Sequence, residues 1–94
     1  MTKTIRPIIN FTWLGTVDQG KQLEFSATID DVVYSLATIV ADDTDESLWF
    51  EIYIDGKIIQ IPIEKVREAL DSASGEVHSE KWYEQNVYSR ISST

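Results

Sequence analysis

The chain of 94 residues has no cysteine, so disulfide bonds and thiol chemistry are excluded, as is typical of proteins in a reducing cytoplasm. Its four glycines are scattered, which excludes a phosphate-binding loop or a dinucleotide fingerprint. The longest uninterrupted apolar runs are three residues, such as Leu48-Trp49-Phe50. We therefore expect no membrane-spanning segment, no signal peptide and a cytoplasmic location.

Basic residues are missing from a long central stretch, because no lysine or arginine lies between Lys21 and Lys57. The formal net charge is −8. That balance argues against direct binding of nucleic acid, which needs lysine and arginine against phosphate. It favours either simple solubility or a basic protein partner, attracted over a Debye length of ~8 Å. The stretch holds nine carboxylates: Glu24, Asp30, Asp31, Asp42, Asp43, Asp45, Glu46, Glu51 and Asp55.

The clearest structural signal lies around Asp55-Gly56. Apolar and polar residues alternate from Leu48 to Asp55, which is the period of a half-buried strand. Asp55-Gly56 is typical of a type I′ hairpin turn, since both positions need a positive φ. With this turn Ile54 faces Lys57, Ile52 faces Ile59 and Phe50 faces Ile61, so one face of the hairpin is apolar.

A second hairpin is predicted around Asp30-Asp31. With those two residues as the loop, Ile29 faces Val32, Ala27 faces Tyr34 and Phe25 faces Leu36, all on one face. The segment 32–40 also fits a helical stripe that begins after an Asp30 cap. Its β-branched residues favour a strand.

The remaining segments complete a single α+β domain over residues 1–94. Ile9, Phe11 and Trp13 alternate with polar residues near the N-terminus. After Pro62 an apolar stripe predicts a helix in which Val66 and Leu70 face the core, and Ser79 is a candidate cap for a second, short helix. We expect an antiparallel sheet of four to five strands, with one or two C-terminal helices packed on one face.

Two groups of residues are candidates for metal binding or catalysis. The acidic segment 41–47 has carboxylates, but a calcium loop that starts at Asp43 would need glycine where Leu48 stands and glutamate where Ile54 stands. His78 is the only histidine, and zinc sites usually use more than one histidine or cysteine. No nucleophile elbow is present. We expect no metal, no cofactor and no enzymatic activity.

The aromatic residues of the Asp55-Gly56 hairpin indicate a different role. In the predicted register Trp49, Tyr53 and Ile58 lie opposite the Phe50 face, beside Glu51 and Gln60. If helices cover the Phe50 face, these three side chains form an exposed apolar patch rimmed by carboxylates. If the sheet buries both faces, they belong to the core. The predicted partner-binding residues are Asp42, Asp43, Asp45, Glu46, Trp49, Glu51, Tyr53 and Ile58.

The sequence thus favours a small, acidic, non-enzymatic domain that binds a basic protein. In size and charge it resembles small inhibitors and immunity proteins that neutralise nucleases, although no motif carries that resemblance. One alternative is a homodimer that associates through a strand edge or the aromatic face. Another is a domain that binds a small molecule in an apolar pocket.

Overall fold

The computed structural model describes residues 2–16 and 20–88. A five-stranded antiparallel sheet has its strands in sequence order, and helices follow it, which confirms the predicted α+β class. None of the helices among the described residues is long and apolar enough to cross a membrane. The elements are β1 Asn10–Thr16, β2 Gly20–Ile29, β3 Val32–Ala41, β4 Leu48–Ile54, β5 Lys57–Pro62, α1 Ile63–Glu76, α2 Glu80–Tyr83 and a π-helix, α3, Glu84–Tyr88.

Both predicted hairpins are confirmed, and segment 32–40 is a strand. Asp30 and Asp31 have φ angles of 52° and 65°, and Asp55 and Gly56 have 49° and 73°, as type I′ turns require. In the β4–β5 hairpin all three predicted pairs are present. The turn residues and the alternating pattern therefore fixed the same register.

The β2–β3 hairpin differs from the predicted register beyond its first pairs. Ser26 faces Ser35, but Phe25 faces Ala37, so Leu36 is an extra residue in a β-bulge and the predicted pair of Phe25 with Leu36 is wrong. The bulge places the small side chain of Ala37 beside Phe25. The ring of Phe25 thereby reaches across β3, and its centroid lies 5.8 Å from that of Phe50.

The two faces of the sheet differ sharply in chemistry. Paired residues share a face, so the registers define which side chains lie together. The face that we call the apolar face holds Phe11, Trp13, Lys21, Leu23, Phe25, Ala27, Ile29, Val32, Tyr34, Ala37, Ile39, Ala41, Leu48, Phe50, Ile52, Ile54, Lys57, Ile59 and Ile61. The opposite face, the carboxylate face, holds Asn10, Thr12, Leu14, Gln22, Glu24, Ser26, Thr28, Val33, Ser35, Thr38, Val40, Trp49, Glu51, Tyr53, Ile58, Gln60 and Pro62.

Helix α1 contacts β4 and β5, and within the described residues it approaches no other strand. Ile63 is buried, and Val66 and Ala73 are half-buried. Leu70 is 66% exposed, so the prediction that it faces the core is wrong: α1 contacts only β4 and β5 of the described strands, and Ile63 is its buried residue. Ser79 caps α2, as predicted, by accepting a hydrogen bond from the Trp82 amide at 3.1 Å.

The core of this chain is small. Its buried apolar residues are Ala27, Ala37, Val40 and Ile63, and no large side chain among the described residues is fully buried. The chain exposes 8309 Å², whereas a compact monomer of its mass exposes about 5,500 Å². The radius of gyration is 18.9 Å, against about 12 Å for a compact domain of this length. Much apolar surface therefore remains in contact with solvent.

The type I′ turns give the first prediction. Gly56→Val is expected to lower the free energy of unfolding by ~1–2 kcal/mol, because a β-branched residue is strained at a φ of 73°. A Cβ at this position would contact only the Tyr53 hydroxyl, at an ordinary 3.8 Å, so the cost is conformational rather than steric. Asp31→Gly should raise stability, since glycine removes the strain at a φ of 65°. Chemical denaturation measures the stability of both variants. Equal midpoints for the wild-type chain, Gly56→Val and Asp31→Gly would contradict the turn assignment.

Candidate functional site

The eight predicted partner-binding residues lie on β4, on β5 and in the loop that precedes β4. Trp49, Glu51 and Tyr53 project from the carboxylate face of β4, and Ile58 pairs directly with Tyr53. The acidic loop 42–47 joins β3 to β4 at the Trp49 end. Tyr53 is four residues along the strand from Trp49, which is ~13 Å.

The acidic loop is held by its own carboxylates. Asp42 Oδ1 accepts hydrogen bonds from the amide of Thr44, at 2.8 Å, and from its hydroxyl. Asp45 Oδ1 accepts from the amide of Ser47 at 3.0 Å and from its hydroxyl at 2.6 Å. The amide of Asp42 donates to the carbonyl of Ser47 at 2.8 Å, which closes the loop. Asp42 and Asp45 therefore fix the conformation of the loop and also contribute to its negative charge.

The Asp42 carboxylate gives a pH-dependent prediction. Hydrogen bonds from the hydroxyl and then the amide of Thr44 lower the pKa of Asp42 below its ordinary value of 3.8. Because the pKa of Asp42 is lower in the folded state, ionised Asp42 stabilises the folded chain at pH values above 3.8. That stabilisation is lost as the pH falls through the folded-state pKa. The amide resonance of Thr44 should titrate with a midpoint below 3.8 in an NMR experiment. Asp42→Asn should abolish this titration, and a midpoint at or above the ordinary value would contradict the hydrogen-bond geometry.

Trp49, Tyr53 and Ile58 differ in exposure. Trp49 is half-buried, and its Nε1 donates to the Ser47 hydroxyl at 2.9 Å, which ties the strand to the acidic loop. Tyr53 is 73% exposed and Ile58 is 63% exposed. Tyr53 and Ile58 thus form an adjacent cross-strand pair of large apolar side chains in solvent, whereas Trp49 supports the loop.

A polar row crosses the carboxylate face beside that pair. Glu24, Thr38, Glu51 and Gln60 face one another in turn on β2, β3, β4 and β5. The Ser35 hydroxyl donates to Glu24 at 3.0 Å, and the Gln60 side-chain amide donates to Glu51 at 2.9 Å. Thr38 and Glu51 of this row line a groove of about 340 Å³, together with Ser35, Leu36, Ala37, Ile52, Tyr53 and Ile58.

The face is acidic without a compensating charge. Across the described strands, the carboxylate face carries Glu24 and Glu51 but no lysine or arginine. The salt bridge that the described residues form, between Lys65 and Glu68 at 3.2 Å, lies on α1. Both carboxylates are hydrogen-bonded to neutral side chains, and neither forms a salt bridge with another described residue.

The remaining acids are divided between two ends of the sheet. The loop that contains Asp42, Asp43, Asp45 and Glu46 lies at one end of β3, and the turns that contain Asp30, Asp31 and Asp55 lie at the other. The ten residues of β3 separate these ends by ~30 Å. That exceeds a Debye length of ~8 Å. A stretch that is continuous in sequence is therefore two separate acidic ends in space, joined by the Glu24–Glu51 row.

Sequence reasoning missed part of this surface. The alternation of β2 already placed Glu24 opposite Phe25, but nothing in the sequence showed that β3 would bring Glu24 and Glu51 into one row. Leu36 was predicted to lie on the face of Phe25, and the β-bulge instead lets it line the groove. The row follows only from the observed registers, in which Thr38 faces both glutamates.

Metal chemistry has no support in the described parts of the chain, where no group of three or more His, Cys, Asp or Glu side chains could hold an ion. The His78 ring stacks on Trp82, with ring centroids 3.7 Å apart. That aromatic contact accounts for the placement of the imidazole. The carboxylate face offers hydrogen-bond acceptors, an exposed aromatic ring and negative charge, which are the elements of a binding surface.

Comparisons of this chain with protein-family models, with curated proteins and with solved structures found no match. Its function is therefore argued from the chemistry of its surfaces.

Proposed function

We propose that the protein is a small, non-enzymatic, cytoplasmic binding domain whose carboxylate face engages a basic surface on a partner protein. The observation that carries the proposal is the row of Glu24, Thr38, Glu51 and Gln60 beside the exposed pair Tyr53 and Ile58. An aromatic anchor flanked by unpaired carboxylates suits a partner that presents lysine or arginine.

Each component has a distinct part in the proposed interface. Glu24 and Glu51 attract and orient the basic partner, which raises the association rate more than the affinity. Tyr53 and Ile58 are desolvated on contact and supply most of the binding energy. The acidic loop extends the negative field at the Trp49 end of β4, with Asp43 and Glu46 free of the hydrogen bonds that engage Asp42 and Asp45 in shaping the loop.

An inhibitor of a basic enzyme is the specific form of this proposal. Nucleases hold phosphate with lysine and arginine side chains, and two carboxylates separated by one intervening strand offer those side chains an alternative ligand. Binding there blocks the substrate without any chemistry by the inhibitor. The proposal therefore needs no cofactor, metal or nucleophile in this chain.

Affinity capture with matched baits tests the proposal. The wild-type chain should retain a basic protein at low salt and release it at high salt. The double variant Glu24→Gln/Glu51→Gln should lose that protein, whereas Glu64→Gln/Glu68→Gln, which removes the same charge from α1, should retain it. Capture of the same proteins by both double variants would contradict the assignment to the carboxylate face.

A further inference from the structure

The apolar face lacks a second layer over most of its width. A sheet that is apolar on one face is stable when another layer covers that face. In the described residues, α1 reaches only β4 and β5, while α2 and α3 contact each other and no strand. The part of the apolar face on β1, β2 and β3 is therefore not covered by any of the described helices.

The exposure of individual side chains locates the uncovered region. Phe11 is 64% exposed and Trp13 is 65% exposed, although both lie on the apolar face. Val32 and Tyr34 are also exposed. Phe11 meets Phe25 edge to face, with centroids 5.0 Å apart, and Phe25 meets Phe50 in the same way. A continuous aromatic row thus crosses four strands and is open to solvent at its β1 end.

The exposed area is sufficient for a stable dimer. This chain exposes 8309 Å², which is ~2,800 Å² more than a compact monomer of its mass. A standard protein interface removes ~800 Å² from each partner, and obligate dimers remove more. A standard interface would therefore take up less than about a third of this excess, which is spread over the whole chain.

The charges of the sheet select the kind of partner. Within its described strands the apolar face has no carboxylate, and its charged residues are Lys21 and Lys57, one at each end of the sheet. The Lys21 ammonium lies 4.8 Å from the centre of the Trp13 ring, so its charge is at the margin. Two copies with a net charge of −8 can meet through this face without opposing their carboxylates. A basic partner would find nothing there to pair with its charges.

We propose that the apolar face over β1, β2 and β3 is closed by the same face of a second copy of this chain. The two sheets form a sandwich ~10 Å thick, with the aromatic row of each copy in its centre. The carboxylate faces then point outward on both sides. This inference concerns the opposite face from the proposed partner-binding surface and does not depend on it.

The solution mass of the full chain tests this inference. Sedimentation equilibrium at micromolar concentration should give a mass of about twice 10.7 kDa, and the thermal midpoint should rise with protein concentration. Phe11→Glu should raise the dissociation constant of the dimer by ~30-fold or more, the effect expected for an interface anchor. Val33→Glu adds the same charge at a residue 71% exposed on the carboxylate face, and it should leave the dimer intact.

The milder variant Trp13→Ala covers the case in which Phe11→Glu does not fold. It should give a folded chain, checked by circular dichroism, with a weaker dimer. A folded wild-type monomer across the concentration range would overturn the inference. It would also be overturned by a dimer that tolerates Phe11→Glu and Trp13→Ala but dissociates in Val33→Glu.

Discussion

Phe25→Ala is expected to lower the free energy of unfolding by ~3–5 kcal/mol, the largest loss of stability for a single substitution in this chain. Phe25 lies at the centre of the aromatic row, in edge-to-face contact with both Phe11 and Phe50. Each such pair adds ~0.5–1.5 kcal/mol to the burial of the ring. With so few buried residues elsewhere, no other group can replace these contacts.

Chemical denaturation at a fixed protein concentration measures this loss. Val33→Ala is the matched control, because Val33 is on the neighbouring strand but is exposed on the carboxylate face. It should change stability by less than ~0.5 kcal/mol. If Phe25→Ala cost no more than Val33→Ala, the aromatic row would not be the organising contact of the sheet.

Tyr53→Ala is the second large expected effect, and it concerns binding rather than folding. Tyr53 is exposed, so its loss should leave the thermal midpoint nearly unchanged. As the aromatic anchor of the proposed interface, it should raise the dissociation rate from the captured basic protein by ~30-fold.

Surface plasmon resonance measures that rate, and Tyr34→Ala provides the control. Tyr34 is the same residue type and is also exposed, but it lies on the apolar face. Equal dissociation rates for Tyr53→Ala and the wild-type chain would remove the carboxylate face from the proposed interface. A change in Tyr34→Ala alone would place the partner on the apolar face instead.

The hairpins show what the sequence predicted well. At Asp55-Gly56 the turn residues and the alternation of apolar residues specified the same register, and three predicted pairs are present. At Asp30-Asp31 the turn is also correct, but the register changes at Leu36 because the bulge depends on packing across β3 rather than on local pattern. Turn chemistry is local, and bulges are set by neighbours distant in the sequence.

Helix α1 shows why the predicted core was wrong at Leu70. An apolar stripe predicts which side of a helix prefers to be buried. The prediction for Leu70 required the sheet to lie beneath the whole length of the helix. In this chain the sheet meets the helix at Ile63, and Leu70 is left in solvent. Leu70→Ala should accordingly cost far less than the ~2–5 kcal/mol of a buried leucine.

The candidate site could be predicted in part because it follows one strand. Trp49, Glu51 and Tyr53 share a face because side chains alternate along a strand with a period of two. Their spacing in the sequence was therefore sufficient to place them together. The addition of Glu24 required the strand order, since it comes from β2 across β3. The separation of the acidic residues into two ends also required the topology, because charge runs in a sequence do not show where hairpins turn.

The most direct test of the proposed function is the association rate of the captured basic protein as a function of salt. For the wild-type chain the rate should fall steeply as ionic strength rises, since exposed charges are screened. Glu24→Gln/Glu51→Gln should associate ~10-fold more slowly at low salt, with a flatter salt dependence, whereas Glu64→Gln/Glu68→Gln should follow the wild type. Identical rates and slopes for the two double variants would contradict the claim that the carboxylate face steers a basic partner.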